Sequence, residues 1–149
     1  MSKEYPWGKG TPKWTRDAAL NDSDKSFTVP VGKRWAVASV VAQLTATATV
    51  GGRVVVCTIT DGTNIVWVSP RVGAAASATA GLLLGQGHNP STAARTSLAI
   101  TNDTNTNVAE LPIGMVLNAG YVIRVYDSAA IDAAADDLTV VLHYVEYDA

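Results

Sequence analysis

The sequence predicts an all-β protein, a jelly-roll or Greek-key β-sandwich preceded by an extended N-terminal arm. Three observations carry that expectation. Residues alternate between two faces in several runs, Tyr121 to Tyr126 and Leu138 to Tyr147 among them, as a pleated strand requires. Turn formers separate the runs: Pro30-Val31-Gly32, Gly51-Gly52, Asp61-Gly62 and Asn118-Ala119-Gly120. The composition is 48% hydrophobic with a single phenylalanine, and alanine, valine and threonine supply much of it, which suits a thin layer between two sheets.

The first element is the arm. Met1 to Lys25 holds Pro6, Gly8, Gly10 and Pro12 and shows neither the helical nor the strand period, so residues 1–25 are expected to stand apart from a sandwich over 26–149. Disordered tails are poor in aromatics, yet this one carries Tyr5, Trp7 and Trp14. Each aromatic offers on the order of 150–250 Å² and needs cover. The arm either folds back on its own sandwich or lies on a neighbouring subunit, and the second reading is preferred.

Phe27 to Val29 is the first strand expected in the sandwich, followed by a turn at Pro30 to Lys33. Trp35 to Thr49 alternates for too long to be one ordinary strand, so a bend or bulge is expected near Ser39 or Gln43. Arg53 to Thr60 and Ile65 to Ser69 form a hairpin across Asp61-Gly62, with Trp67 closing the core. From Arg71 to Asn107 the pattern weakens, leaving short strands at Ala80 to Leu84 and Leu98 to Thr101 around a loop at Gly85 to Ser97. Val108 to Leu117 and Tyr121 to Tyr126 read as a hairpin, and Leu138 to Tyr147 as the last strand. Both faces of these closing strands are largely apolar, which places them centrally. Asp127 or Ser128 is positioned to cap one or two helical turns in the small, acidic link before Asp136 and Asp137.

At 149 residues the chain suits one domain. Its charged share is 16%, against an ordinary quarter or so, and a chain so poor in charge is expected to cover part of its surface with protein. The net charge of −2 excludes nucleic acid as the main partner, since phosphate binding needs a concentrated basic surface. The charge is unevenly spread: Lys3, Lys9, Lys13 and Arg16 make the arm basic, while after position 100 Arg124 alone stands against eight acids. Cys57 is the only cysteine, which rules out an intrachain disulfide. No apolar run has signal-peptide or membrane-spanning character, so a protein made in a cytoplasm, with no membrane partner, is expected.

No catalytic pattern is present, and no cofactor is expected. There is no Gly-x-Ser-x-Gly elbow, His88 lies in a Gly/Asn/Pro loop, and His143 shares a strand face with Val141 and Val145, the setting of a core or interface histidine. Asp127, Asp132, Asp136 and Asp137 lack the spacing of a calcium loop and have alanines where further ligands belong, so no metal is expected. Gly81, Gly85 and Gly87 follow no phosphate-loop pattern.

Two segments carry a family resemblance. Phe27-Thr28-Val29-Pro30-Val31-Gly32-Lys33-Arg34-Trp35 and Leu117-Asn118-Ala119-Gly120-Tyr121-Val122-Ile123-Arg124-Val125-Tyr126-Asp127-Ser128 resemble the small β-sandwich virion proteins of tailed bacteriophages, most of all the capsid cement or decoration proteins. That resemblance implies a non-enzymatic structural protein on the outer capsid surface, forming dimers or trimers and stapling neighbouring major capsid proteins. It equally admits a neck, collar or tail component, and a carbohydrate-binding sandwich is a further alternative. On this reading Tyr5, Trp7 and Trp14 anchor the arm in apolar grooves, while Lys9, Lys13 and Arg16 meet acidic surface on a sister subunit or on the shell.

Overall fold

The structure, a computed structural model, describes residues 9–17, 19, 24–85, 106–112, 114–129, 131–132 and 134–149. They form eleven strands and, among the described residues, no helix. In chain order the strands are β1 (Thr11–Asp17), β2 (Lys25–Thr28), β3 (Lys33–Thr45), β4 (Arg53–Thr60), β5 (Ile65–Val68), β6 (Val72–Ala74), β7 (Thr79–Gly85), β8 (Thr106–Glu110), β9 (Val116–Leu117), β10 (Val122–Asp127) and β11 (Asp137–Asp148). The larger sheet runs β1-β11-β3-β7-β8, with β9 also paired to β3; the smaller runs β2-β10-β4-β5, with β6 also paired to β4. All pairs are antiparallel except β7 with β8. That parallel pair is joined through residues 86–105, so the strand expected at Leu98 to Thr101, like His88, lies outside the described residues.

The two sheets bury one continuous core. Val40, Ala42 and Leu44 of β3, Leu82 and Leu84 of β7, and Leu138, Val140 and Leu142 of β11 face Val55, Cys57 and Ile59 of β4 and Ile123 and Val125 of β10. Trp67 packs half-buried against this cluster, as its position in the hairpin predicts. The closing strands are central, as expected from their two apolar faces: β10 lies between β2 and β4, and β11 between β1 and β3.

The length of β3 is accommodated by a bulge. His143 pairs with Ser39 and Tyr144 with Val37, so Ala38 has no partner across the ladder. Upstream the buried positions are Trp35 and Val37; downstream they are Val40, Ala42 and Leu44. One extra residue moves the inward set from odd to even numbers, whereas strict alternation through Ala38 would turn Val40, Ala42 and Leu44 to water.

Four expectations are corrected. Thr11 to Asp17 is not an arm apart from the sandwich: all seven residues pair with β11, from Thr11–Glu146 to Asp17–Val140. It shows no apolar period because an edge strand at the rim has few partners to bury against, and Pro12 is tolerated there because β1 has no second strand neighbour among the described residues. A second strand, β6, lies in the stretch where the pattern fades. Val116–Leu117 and β10 are not a hairpin, since the former pairs with Trp35 and Ala36 in the larger sheet and the latter lies in the smaller. The connection crosses between layers at Asn118 to Gly120, where Gly120 takes a φ of 86° and donates its N–H to the Val29 carbonyl at 3.0 Å. Finally, among the described residues of the acidic link a turn is closed on the Asp132 carbonyl by the Ala135 and Asp136 amides, and no helix follows Asp127.

Candidate interaction surfaces

Asp127 instead accepts the Val54 amide at 2.7 Å and the Ala129 amide at 3.0 Å. Asp136 and Arg53, both fully buried, form an ion pair at 2.7 Å, and Asp136 also accepts the Thr47 amide. Arg53 donates further to the carbonyls of Thr49 and Gly51. Asp132 accepts the Thr47 and Thr49 hydroxyls at 2.7 and 2.8 Å, which hold its carboxyl below the ordinary range. Burial pushes the Asp136 carboxyl up, but the bonds from Arg53 and Thr47 outweigh it and leave its pKa lowered. These carboxylates tie the β10–β11 link to the β3–β4 turn, and the bonds they accept are those of a structural clamp.

Residues 10–17 converge on the outer face and rim of the larger sheet. Gly10 sits so close to β11 that any side chain there would overlap the Tyr147 ring and a Val145 methyl. Lys13 reaches Glu146 at 2.6 Å, and the same carboxylate accepts the Trp35 indole N–H at 2.9 Å, beneath a Trp35–Tyr144 stack with centroids 4.1 Å apart. The Lys13 bond leads the contacts that lower the Glu146 pKa. Asp17 closes the same edge of the sandwich by pairing with the buried Lys25 of β2 at 3.4 Å. The acidic closing half is thus met by Lys13 of its own chain.

On the outward phase of β1 stand Trp14 and Arg16. Trp14 is 66% exposed and lies directly across from His143, which in turn lies across from Ser39; Arg16 is exposed opposite Val141, itself opposite Val41. One residue pair further, Thr139 faces Gln43. Together Trp14, Arg16, Val41, Gln43, Thr139, Val141 and His143 line an open groove of about 500 Å³. His143 is exposed and its Nδ1 shares a hydrogen bond with the Ser39 hydroxyl at 3.1 Å, so it is neither a core residue nor bare. Among the described residues Arg16 has no ion pair, and none of those lining the groove is acidic.

A second surface lies at the opposite edge, on β5. Its outer side has no strand partner among the described residues, and Ile65, Val66 and Val68 are 61%, 46% and 47% exposed. Beside it Val66, Pro112, Gly114, Met115, Val116, Leu117 and Tyr121 line a groove of about 380 Å³. An exposed apolar edge, even one of four residues, invites another chain, and sandwiches ordinarily blunt such edges with charge or cover them.

Of the six residues expected to mark the arm, Tyr5 and Trp7 lie outside the described residues, and Lys9 is exposed just before β1. Lys13 serves the rim of its own sandwich, and Trp14 and Arg16 share the groove. Sequence reasoning missed the groove's other walls and the β5 edge. Thr139-x-Val141-x-His143 and Val41-x-Gln43 each occupy the outward phase of a strand, but which strands are neighbours is not written in either run. No protein-family model matches the chain, and neither a curated protein nor a solved structure matches it.

Proposed function

We propose that this chain is a non-enzymatic virion structural protein, a cement protein that binds the outer capsid shell as a dimer or trimer and bridges neighbouring major capsid proteins. The observation that carries the reading is the β5 edge, unpaired on its outer side among the described residues, with its adjoining apolar groove, on a sandwich whose charged share is only 16%. An edge of this kind gains strand hydrogen bonds and apolar burial at once when a neighbouring chain lies on it. Ile65, Val66 and Val68 are already about half covered, so each contributes roughly half of the 1.5–3 kcal/mol of a fully buried aliphatic side chain. Contacts of that size, repeated over a symmetric lattice, give high avidity without one tight site. The resemblance of the Phe27–Trp35 and Leu117–Ser128 segments to phage virion sandwiches supplies the kind of partner.

The test is to add the purified protein to capsids that lack it and image them by cryo-electron microscopy. Regular density at capsomer junctions or local symmetry axes, with β5 turned toward a neighbouring protein, is the expected result. Density confined to the portal vertex or tail would move the assignment to a neck or tail component. No density on any part of the particle would overturn the proposal.

A further inference from the structure

We infer that the groove on the outer face of the larger sheet binds a short oligosaccharide carrying a carboxylate. This site is separate from the β5 edge and does not depend on the capsid reading.

The argument starts from the grid of the sheet. Strands β1, β11 and β3 lie side by side, and their outward residues form rows in register. The middle row supplies a floor of two valines, Val141 and Val41, extended at the β1 end by Arg16. One flanking row supplies Trp14 and His143; the other supplies Thr139 and Gln43. The result is a small apolar floor with an indole on one corner and hydrogen-bonding groups on both long sides. Ligand sites commonly have this make-up, mostly apolar with a few polar groups that fix orientation, and the volume of about 500 Å³ falls within their usual range.

The chemistry of the walls selects the class. A pyranose ring has one face of C–H groups, weakly positive, that matches the negative face of an indole and lies well on a methyl floor. Its edge carries hydroxyls at close spacing, which the Gln43 amide, the Thr139 hydroxyl and an imidazole can serve on either side. His143 already uses Nδ1 on Ser39, which fixes the ring and leaves Nε2 for a ligand. A wholly neutral sugar would leave Arg16 with nothing to do. Its guanidinium is exposed, unpaired among the described residues and free of acidic neighbours in the groove, and its planar fork matches a carboxylate. One arginine on a chain of net charge −2 is too little for a nucleic acid backbone.

The experiment is isothermal titration of the full chain with a panel of acidic oligosaccharides, uronate and sialylated trisaccharides, each paired with its carboxyl-reduced neutral form. At least one acidic member is expected to bind, at least tenfold more tightly than its reduced partner. Trp14→Ala should weaken binding at least tenfold for both members of the pair, while Arg16→Gln should abolish only the preference for the acid. Both positions lie on the exposed side of an edge strand, and Arg16→Gln keeps the test decisive if Trp14→Ala disturbs β1. The proposal is overturned if no member of the panel binds, if Trp14→Ala binds as the parent does, or if the acid preference survives Arg16→Gln. It is overturned as well if Trp14→Ala dissociates an oligomer in light scattering, because the face is then an interface between copies. Titration of the isolated chain reads this inference without any capsid, and the capsid reading is tested separately by imaging, so a failure of one is told apart from a failure of the other.

Discussion

Single residues carry two of the clearest consequences. Arg53 and Asp136 are buried together, and removing one leaves the other charged and unpaired in the interior, which is far more costly than losing a surface pair. Arg53→Met is expected to lower Tm by about 10 °C, measured by calorimetry. The pH dependence has a definite sign. Asp132 and Asp136 both have lowered pKa values in the fold, so their contribution is complete above the ordinary carboxylate value of about 3.9 and is lost as pH falls through the folded values. The parent should therefore lose stability on acidification below about pH 4, and Asp132→Asn should flatten that part of the Tm–pH curve. An unchanged curve would remove Asp132 from the account. Cys57 gives a separate readout: fully buried, with its thiol pushed up to about 12 by desolvation, it should react with a maleimide no faster than the molecule unfolds. Labelling at the rate of an exposed thiol, under conditions where circular dichroism reports a folded chain, would contradict that burial.

At the scale of the element, β1 and β3 show what could and could not be read from sequence. The irregularity in β3 was legible from the length of its alternating run; its place at Ala38 is fixed by burial, since Trp35 and Val37 face inward before it and Val40, Ala42 and Leu44 after it. Deleting Ala38 removes the unpaired residue and leaves Trp35, Val37, Val40, Ala42 and Leu44 in unbroken alternation, so a folded protein should remain, whereas Val40→Asp puts a charge on the inward face and should abolish folding, the two told apart by near-ultraviolet circular dichroism. By contrast β1 was not legible, since Thr-Pro-Lys-Trp-Thr-Arg-Asp has no apolar period and its place is fixed by partners far along the chain, chiefly Glu146 and Lys25. The crossing at Asn118 to Gly120 was missed for a related reason: a tight turn looks the same whether the chain stays in one sheet or changes layer. Gly10 sets how closely the chain approaches β11, so Gly10→Val should detach β1 while the sandwich holds. Amides of Thr11 to Asp17 would then exchange much faster by hydrogen-exchange mass spectrometry, with the core strands still protected; unchanged protection in β1 would show that Tyr147 simply turns aside.

At the scale of the molecule, the two open surfaces lie at different edges of one sandwich and divide its chemistry. The β1 side is basic and mixed, with Trp14 exposed beside Arg16 and His143, whereas the β5 side is almost wholly apolar. Composition announced that some surface would need a partner, because charge is scarce throughout; it did not say which edge, since Ile65 to Val68 reads equally as an interior strand. Placement at the end of the sheet turns the same residues into a sticky edge. Two lysines introduced there, Val66→Lys with Val68→Lys, act as natural edge-guarding charges do and repel a neighbouring strand. Both side chains are close to half exposed, so Tm should move by only a few degrees, about 4 °C at most, while the cost of desolvating two ammonium groups falls entirely on the assembled state. Self-association by sedimentation velocity and attachment to empty capsids should then both be lost, with the folded monomer retained. If either persists at parental strength, the β5 edge is not the surface through which that contact is made.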